Sequence, residues 1–430
     1  MKKIIILVIS LFGMISGAAA QTGTWSGTIE IQGTGLPVVF HLDGVEPTMD
    51  SPDQGAKGIP VSVDKGEFGR IVIRIPSIGA SYEGKWMVRQ IVGTFTQGGL
   101  SLPLTLVPGE MKRNRPQTPE GPFPYLTEEV SFTNGDATLR GTLVLPSEYT
   151  RSTPALVMVT GSGLQNRDEE LFDHKPFAVI ADALARAGIA TLRYDDRGFG
   201  ESTGNAVTAT TEDFCNDALA GMELLRERFD RVGMIGHSEG GTIALMAASQ
   251  EKADFIVSLA GMVISGKETL VSQNRTGLRE AGFSEDVISI YCRIFEEAAE
   301  AIIAGTPAPS AENKDIPEAL IQNYHIALQQ LSTPYMKHFL ALDMRELLGS
   351  ISCPVLALNG TKDIQVDHHA NLEALRQGLT CNTVSRIEAL PELNHLFQHC
   401  STGSVAEYKE IEESFATEAL DMIISWLLSI

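Results

Sequence analysis

From about residue 22 to residue 108, apolar and polar positions alternate with a period of two. Trp25, Gly27, Ile29 and Ile31 interleave with Thr24, Ser26, Thr28 and Glu30, and Ile71, Ile73 and Ile75 with Arg70, Val72 and Arg74. Successive side chains of a strand point to opposite faces, so this pattern predicts half-buried strands. Short runs at Val38–His41, Ile59–Val63, Ser81–Trp86, Ile91–Thr96 and Leu102–Leu106 extend the series, with Gly and Pro between them. The expectation for 22–108 is a small antiparallel sandwich or barrel. Prolines 108, 116, 119, 122 and 124 and the basic cluster Lys112-Arg113-Asn114-Arg115 follow. They predict a linker of limited flexibility over 109–124.

From residue 125 the period changes. Glu128–Thr133 and Thr138–Leu145 flank Asn134-Gly135, the signature of a hairpin. Continuous apolar runs then appear at Ala155–Val159, Ile189–Leu192, Val232–Ile235, Phe255–Leu259 and Val355–Leu358, as in strands buried on both faces. Helical stretches at Phe177–Ala187, Asp213–Phe229 and Thr242–Ser249 separate the first four. That alternation predicts an α/β domain over 125–430 with a mostly parallel, doubly wound sheet and right-handed crossovers. The alternation breaks over about 263–349, where the pattern is helical and acidic. An insertion there would overlie the sheet edge at which such folds bind ligands, so a helical lid is expected. A packing or dimerisation subdomain is the alternative.

Four hundred and thirty residues are too many for one ordinary core, in keeping with more than one domain. The formal net charge of −21 and the lack of a basic stripe argue against nucleic acid or an anionic membrane surface as partners. Residues 1–20 read as an export signal: Lys2-Lys3, an apolar run Ile4–Phe12, and Ala18-Ala19-Ala20 before Gln21. The apolar run is short for a membrane anchor. The protein is therefore expected to be exported, periplasmic or secreted. The five cysteines (215, 292, 353, 381, 400) are too scattered for a disulfide scaffold. Cys381 and Cys400 could pair, or all could be small core residues.

The most specific chemistry lies at Gly236-His237-Ser238-Glu239-Gly240. A strand run precedes it and a helical run follows, which describes a nucleophile elbow. Glycines two residues either side of the serine remove side chains that would meet the neighbouring strand and helix. Ser238 is then exposed at a helix N-terminus that favours developing negative charge. Gly200-Glu201-Ser202-Thr203-Gly204 fits the same spacing, but neither a strand nor a helix adjoins it directly, so Ser238 is the candidate nucleophile.

A serine nucleophile needs a base and an orienting acid, which in this arrangement follow in the order Ser, acid, His. Asp363 lies just past Val355–Leu358 in Asn359-Gly360-Thr361-Lys362-Asp363. Asp367 is a rival better suited to capping a helix from His368. His395, in a turn after a strand expected at Val384–Ile387, is the candidate base. His237 reads as a rim residue. His395, His399 and Cys400 could suggest zinc, but no paired metal motif accompanies them. The oxyanion hole should use two backbone N–H groups, one from Glu239 and one from Ser162 or Gly163 in Thr160-Gly161-Ser162-Gly163-Leu164. Arg167 could face a substrate carboxylate, or pair with Asp168, Glu169 and Glu170 beside it. No metal or organic cofactor is called for.

Taken together, Thr160–Glu169 (TGSGLQNRDE), Arg193–Ser202 (RYDDRGFGES), GHSEGG, NGTKD and LNHLFQ resemble the bacterial α/β-hydrolase serine esterases. The likeness covers about 125–430 and is similar to exported Bacteroidetes members with an N-terminal β-domain. It implies the α/β-hydrolase fold, a triad of Ser238, Asp363 and His395, and activity on carboxylic esters; the expected lid would bound the pocket and so points to small or medium acyl groups. It also implies a structural turn role for Asp195, Arg197 and Ser202. The chain departs from many such enzymes in carrying Thr160-Gly161 where they have His-Gly. A serine peptidase or aminoacyl hydrolase would show the same triad, although many carry an N-terminal propeller that about 90 residues cannot build. A glycan-binding protein with a vestigial hydrolase is a further reading. Trp25 and Trp86 could stack on sugars, or belong to the core.

Overall fold

The computed structural model describes residues 23–430, except 32, 33, 44, 55, 88, 111, 112, 313, 314 and 380–383. The expected export signal and Cys381 fall outside the described residues. The chain divides into two compact units, Met1–Arg113 and Asn114–Ile430.

The first unit is built on one nine-stranded antiparallel sheet. Its strands are β1 (Thr24–Ile31), β2 (Thr34–His41), β3 (Thr48–Ser51), β4 (Ala56–Pro60), β5 (Ser62–Lys65), β6 (Arg70–Ile75), β7 (Ala80–Trp86), β8 (Ile91–Gln97) and β9 (Leu100–Pro108). Their order is β4-β3-β2-β1-β9-β8-β7-β6-β5. Ile71, Ile73 and Ile75 of β6 are fully buried, while Arg70 and Arg74 point outward, as the alternation requires. Ile59 and Val63, from the two edge strands, pack on the same core as Phe40, Tyr82 and Leu106, so the sheet curls over it. Trp25 is buried there and meets Trp86 edge to face, with ring centroids 4.8 Å apart. Both tryptophans thus belong to the core.

The second unit carries an eight-stranded sheet. In chain order its elements are β10 (Leu126–Asn134), β11 (Ala137–Leu145), β12 (Ala155–Val159), α1 (Pro176–Arg186), β13 (Ala190–Tyr194), α2 (Thr211–Arg226), β14 (Val232–His237), α3 (Glu239–Ser249) and β15 (Ile256–Leu259). Four helices follow: α4 (Gly266–Glu280), α5 (Glu285–Ala304), α6 (Glu318–Leu331) and α7 (Pro334–Ala341). The chain ends with β16 (Val355–Gly360), α8 (His368–Gly378), β17 (Arg386–Leu390), α9 (Val405–Tyr408) and α10 (Thr417–Ser429). The sheet order is β10-β11-β13-β12-β14-β15-β16-β17, with β12 to β17 parallel and the β10–β11 hairpin antiparallel at one edge.

Helices cover both faces. Phe177, Ile180 and Leu184 of α1 and Ile423 and Trp426 of α10 pack with Leu156, Ile235 and Val257. Ala218 and Met222 of α2, Ile243 of α3 and Leu372 of α8 pack with Val157, Met234 and Ala357 on the other face. This is the α/β-hydrolase fold. The chain leaves β12 for β13 on one side and returns to β14 on the other, so the order reverses at β12. The crevice beyond the C-terminal ends of β12 and β14 is the natural place for a ligand.

Over 114–124, where a linker of limited flexibility is expected, the Arg115 guanidinium donates to the carbonyls of Phe172, Lys409 and Ile411, and Gln117 bonds Ser414 and Phe415. The last strand lies at Arg386–Leu390, a little beyond the expected run. Strand β3 has the sequence TMDS, with too little apolar content to announce itself.

Candidate active site

Ser238 joins β14 to α3 with φ 54° and ψ −119°. A non-glycine residue rarely adopts that left-handed backbone, and such strain tends to persist where the surroundings fix it. Here its N–H donates to the Leu259 carbonyl at 2.8 Å, and its carbonyl accepts from Gly241 and Thr242. The flanking glycines are steric necessities. A Cβ on Gly236 would run into the backbone of Gly240, and one on Gly240 into the carbonyl of Val159.

His395 Nδ1 lies 2.7 Å from Asp363 Oδ2, with both side chains almost fully buried. The other Asp363 oxygen accepts from the N–H groups of Gln365 and Val366 at 2.8 and 2.9 Å. A carboxylate can only accept, so Nδ1 carries the proton and Nε2 is left with its lone pair. Asn394 shapes the histidine loop by accepting from Leu396 and Gln398 N–H groups. Asp367 instead caps α8, accepting from Ala370 N–H at 2.7 Å.

Ser238, His395, Glu239 and Ser162 line one cavity of about 330 Å³. Its apolar wall includes Leu171, Met262, Val366 and Leu396, and the four-helix insertion adds Leu270, Met336 and Phe339. Asp363 stands behind His395. Of the two candidates for the second oxyanion donor, Ser162 lines this cavity. Gly163, at φ 92°, lines a separate small hollow with Thr160, Asp196 and Phe214.

The Glu239 side chain is buried. Thr211 Oγ1 donates to Oε1 at 2.6 Å, and the Tyr335 hydroxyl donates to Oε2 at 2.5 Å. Burial, followed by the charge of Glu239, pushes the Tyr335 phenol well above its ordinary range, so it stays a donor.

His237 is not a rim residue. It is only 6% exposed, and both ring nitrogens are engaged. Nδ1 faces Glu169 Oε1 and Nε2 faces the His395 carbonyl, each at 2.9 Å. Burial opposes charge on this ring, but the Glu169 carboxylate and the His395 carbonyl outweigh it and raise its pKa. Arg167 pairs not with its sequence neighbours but with Asp195, Glu129 and Glu201. Ser202 is consumed structurally: its hydroxyl donates to the Asp195 carbonyl at 2.7 Å and accepts from Arg140 N–H at 2.9 Å. His399 faces Glu413 and Glu418 at the surface.

A strained serine on a strand–turn–helix, with a buried Asp–His pair in the same cavity, defines a serine hydrolase of the α/β-hydrolase class. The chain belongs to the serine aminopeptidase (S33) family, whose model matches residues 174–399. It is also 34% identical over 145 residues to Esterase EstD of Thermotoga maritima. That match covers 32% of this chain and only 34% of the relative, so the two align over about a third of their lengths.

Three solved structures are similar at low identity. Est1E from Butyrivibrio proteoclasticus is 16% identical, covering 70% of this chain and 98% of that one, with a TM-score of 0.41. The Pyrococcus furiosus esterase Pf2001 is 17% identical, covering 75% and 98%, with a TM-score of 0.46. A proline iminopeptidase of Mycobacterium smegmatis is 16% identical, covering 70% and 98%, with a TM-score of 0.43.

Proposed function

We propose that the protein is a serine esterase cleaving small to medium carboxylic esters through an acyl-enzyme. The observation that carries this reading is the 2.7 Å contact of His395 Nδ1 with Asp363 in the cavity that holds Ser238. In the proposed sequence, His395 Nε2 takes the Ser238 proton as the serine oxygen attacks the ester carbonyl. Asp363 fixes the tautomer and stabilises the imidazolium. The N–H groups of Glu239 and Ser162 stabilise the oxyanion. The alcohol departs with the proton from His395, and a water deprotonated by His395 then releases the acid. None of these steps requires a metal or organic cofactor.

The partial likeness to Esterase EstD favours an ester over an amide. The family's aminopeptidase description keeps peptide amides as the second reading. A mostly apolar cavity of about 330 Å³ suits an acyl group of moderate size. We further propose, from Lys2-Lys3 and Ala18–Ala20 alone, that the chain is exported.

The test is hydrolysis of p-nitrophenyl acetate and butyrate beside an aminoacyl p-nitroanilide panel, with Ser238→Ala as the control. Ester turnover that falls by about 10⁶-fold in the variant supports the reading. Turnover of the anilides alone moves the assignment to the peptidase. Ester turnover retained in folded Ser238→Ala overturns the nucleophile.

A further inference from the structure

We propose that Glu169 and His237 form a buried carboxylate–imidazolium pair that positions the oxyanion loop and the histidine loop against Ser238. The inference rests on the serine-hydrolase reading of that site and adds two positioning residues to it.

The geometry is specific. Glu169 Oε1 accepts from the Gly161 N–H at 2.8 Å, at the start of the loop that presents Ser162. The same oxygen lies 2.9 Å from His237 Nδ1. The other ring nitrogen, Nε2, lies 2.9 Å from the His395 carbonyl. One carboxylate oxygen and one imidazole therefore tie together three chain segments: the loop after β12, the elbow, and the loop after β17. These are the segments that supply Ser162, Ser238 and His395.

The proton count follows from the partners. A backbone carbonyl has no proton to give, so Nε2 must donate. In the proposed pair Glu169 is the carboxylate, so its Oε1, which accepts from Gly161, accepts from Nδ1 as well. An imidazole that donates from both nitrogens carries a positive charge. The other titratable groups facing the ring are His395, whose ring centroid is 4.7 Å away, and Asp363 behind it. Phe397 closes a further side, with its centroid 6.4 Å from that of His237.

Glu169→Gln keeps an acceptor for Gly161 but removes the charge that holds the second proton on His237. Once the ring is neutral, it can no longer donate to both the introduced amide and the His395 carbonyl. One of the two loops loses its anchor. The expected result is a drop in kcat of about 10- to 100-fold with KM little changed, the size of effect seen when groups that orient catalytic ligands are removed. The variant should also lose activity progressively as the ring becomes neutral, at or below the roughly pH 6.5 of an ordinary histidine, because burial is then no longer outweighed by the Glu169 charge. The wild type should lack that alkaline limb.

The direct readout is ¹⁵N NMR of histidine-labelled wild-type protein at pH 8, with His237 assigned against His237→Gln or His237→Asn. The ring is expected to show the imidazolium pattern. A neutral His237 at that pH overturns the proposal, and so does Glu169→Gln with wild-type kcat and an unchanged pH profile. The NMR result does not depend on turnover. It therefore stands apart from the Ser238→Ala test, whose failure would remove the esterase reading instead.

Discussion

The Tyr335 hydroxyl, on a helix of the insertion between β15 and β16, donates to Glu239 Oε2 across 2.5 Å. Glu239 is the residue directly after Ser238, so the inserted helices are fastened to the segment that presents the serine. Tyr335→Phe removes one of the two hydroxyl donors to a buried carboxylate. A hydrogen bond to a charged group contributes about 1.5–3 kcal/mol, so the variant should lose stability of that order and lower kcat/KM. Denaturant unfolding alongside ester kinetics checks this. Unchanged values for both would show that the contact fastens nothing.

Asp363 interacts with His395 through one oxygen and with two backbone N–H groups through the other. Asp363→Asn can keep the backbone contacts, but its amide can present an N–H toward Nδ1 and favour the wrong tautomer. The expected loss in kcat is about 10⁴-fold with the fold retained. A circular dichroism spectrum matching wild type, together with the kinetics, separates this from misfolding.

Gly240 leaves no space for a side chain, because a Cβ there would collide with the Val159 carbonyl of the adjacent strand. Gly240→Ala should abolish activity and strongly reduce soluble yield, since only backbone movement could relieve the clash. Gly305, with φ 69° and open surroundings, is a control. Alanine there meets backbone strain but no clash, so Gly305→Ala should remain folded and active.

Local signals made much of the site readable from the chain. The elbow depends on a strand, a turn and a helix that are contiguous in the chain; Gly236 answers to Gly240 within that motif, whereas Gly240 answers to Val159 of the neighbouring strand β12. Asp363 and His395 follow strands of the same sheet, so chain order placed them at the edge where Ser238 lies. The contacts that escaped notice are long-range. Glu169 and His237 are separated by 68 positions, and Glu239 and Tyr335 by 96. They meet only because β12 lies beside β14 and the insertion folds back over both. Arg167 shows the same effect, since its carboxylate partners come from β10 and the turn after β13 rather than from the acidic run beside it. In the first unit, Ile71 to Ile75 announced their strand by alternation, whereas the polar Thr48–Ser51 pairs with β2 and β4 through its backbone and carries no such pattern.

Arg197 and Asp217 form a two-pronged ion pair, with both contacts at 2.6 Å and the side chains 7% and 1% exposed. Asn134 also donates to Asp217 at 2.8 Å, which ties the β10–β11 turn into the pair. Arg197→Ala leaves a carboxylate buried without its cation and should cost about 3–5 kcal/mol. Replacing both partners with apolar residues of similar volume, as in Arg197→Met with Asp217→Leu, should cost less than the single change. Urea unfolding of the two variants checks the order. A double variant less stable than Arg197→Ala would contradict it.

Asp196 should make stability fall as pH rises. It is buried against the loop after β12, where Thr160 Oγ1 donates to it at 3.0 Å and the Gln165 N–H at 2.7 Å. Burial is the dominant influence and lifts its pKa to about 8; the Gln165 and Thr160 bonds oppose that lift, and the charges of Glu169 and Glu239 add to it. The unfolded chain releases this proton near pH 3.9, whereas the folded chain keeps it until about pH 8. Between those values the native state binds more protons than the unfolded state, so this group's contribution to stability declines with rising pH and levels off above about pH 8. Asp196→Asn cannot ionise and keeps one acceptor for Thr160 or Gln165. Its stability relative to wild type should therefore grow from about pH 5 to about pH 9. Urea unfolding of both proteins across that range measures the difference directly, and parallel pH dependences would show that Asp196 is already ionised in the folded chain.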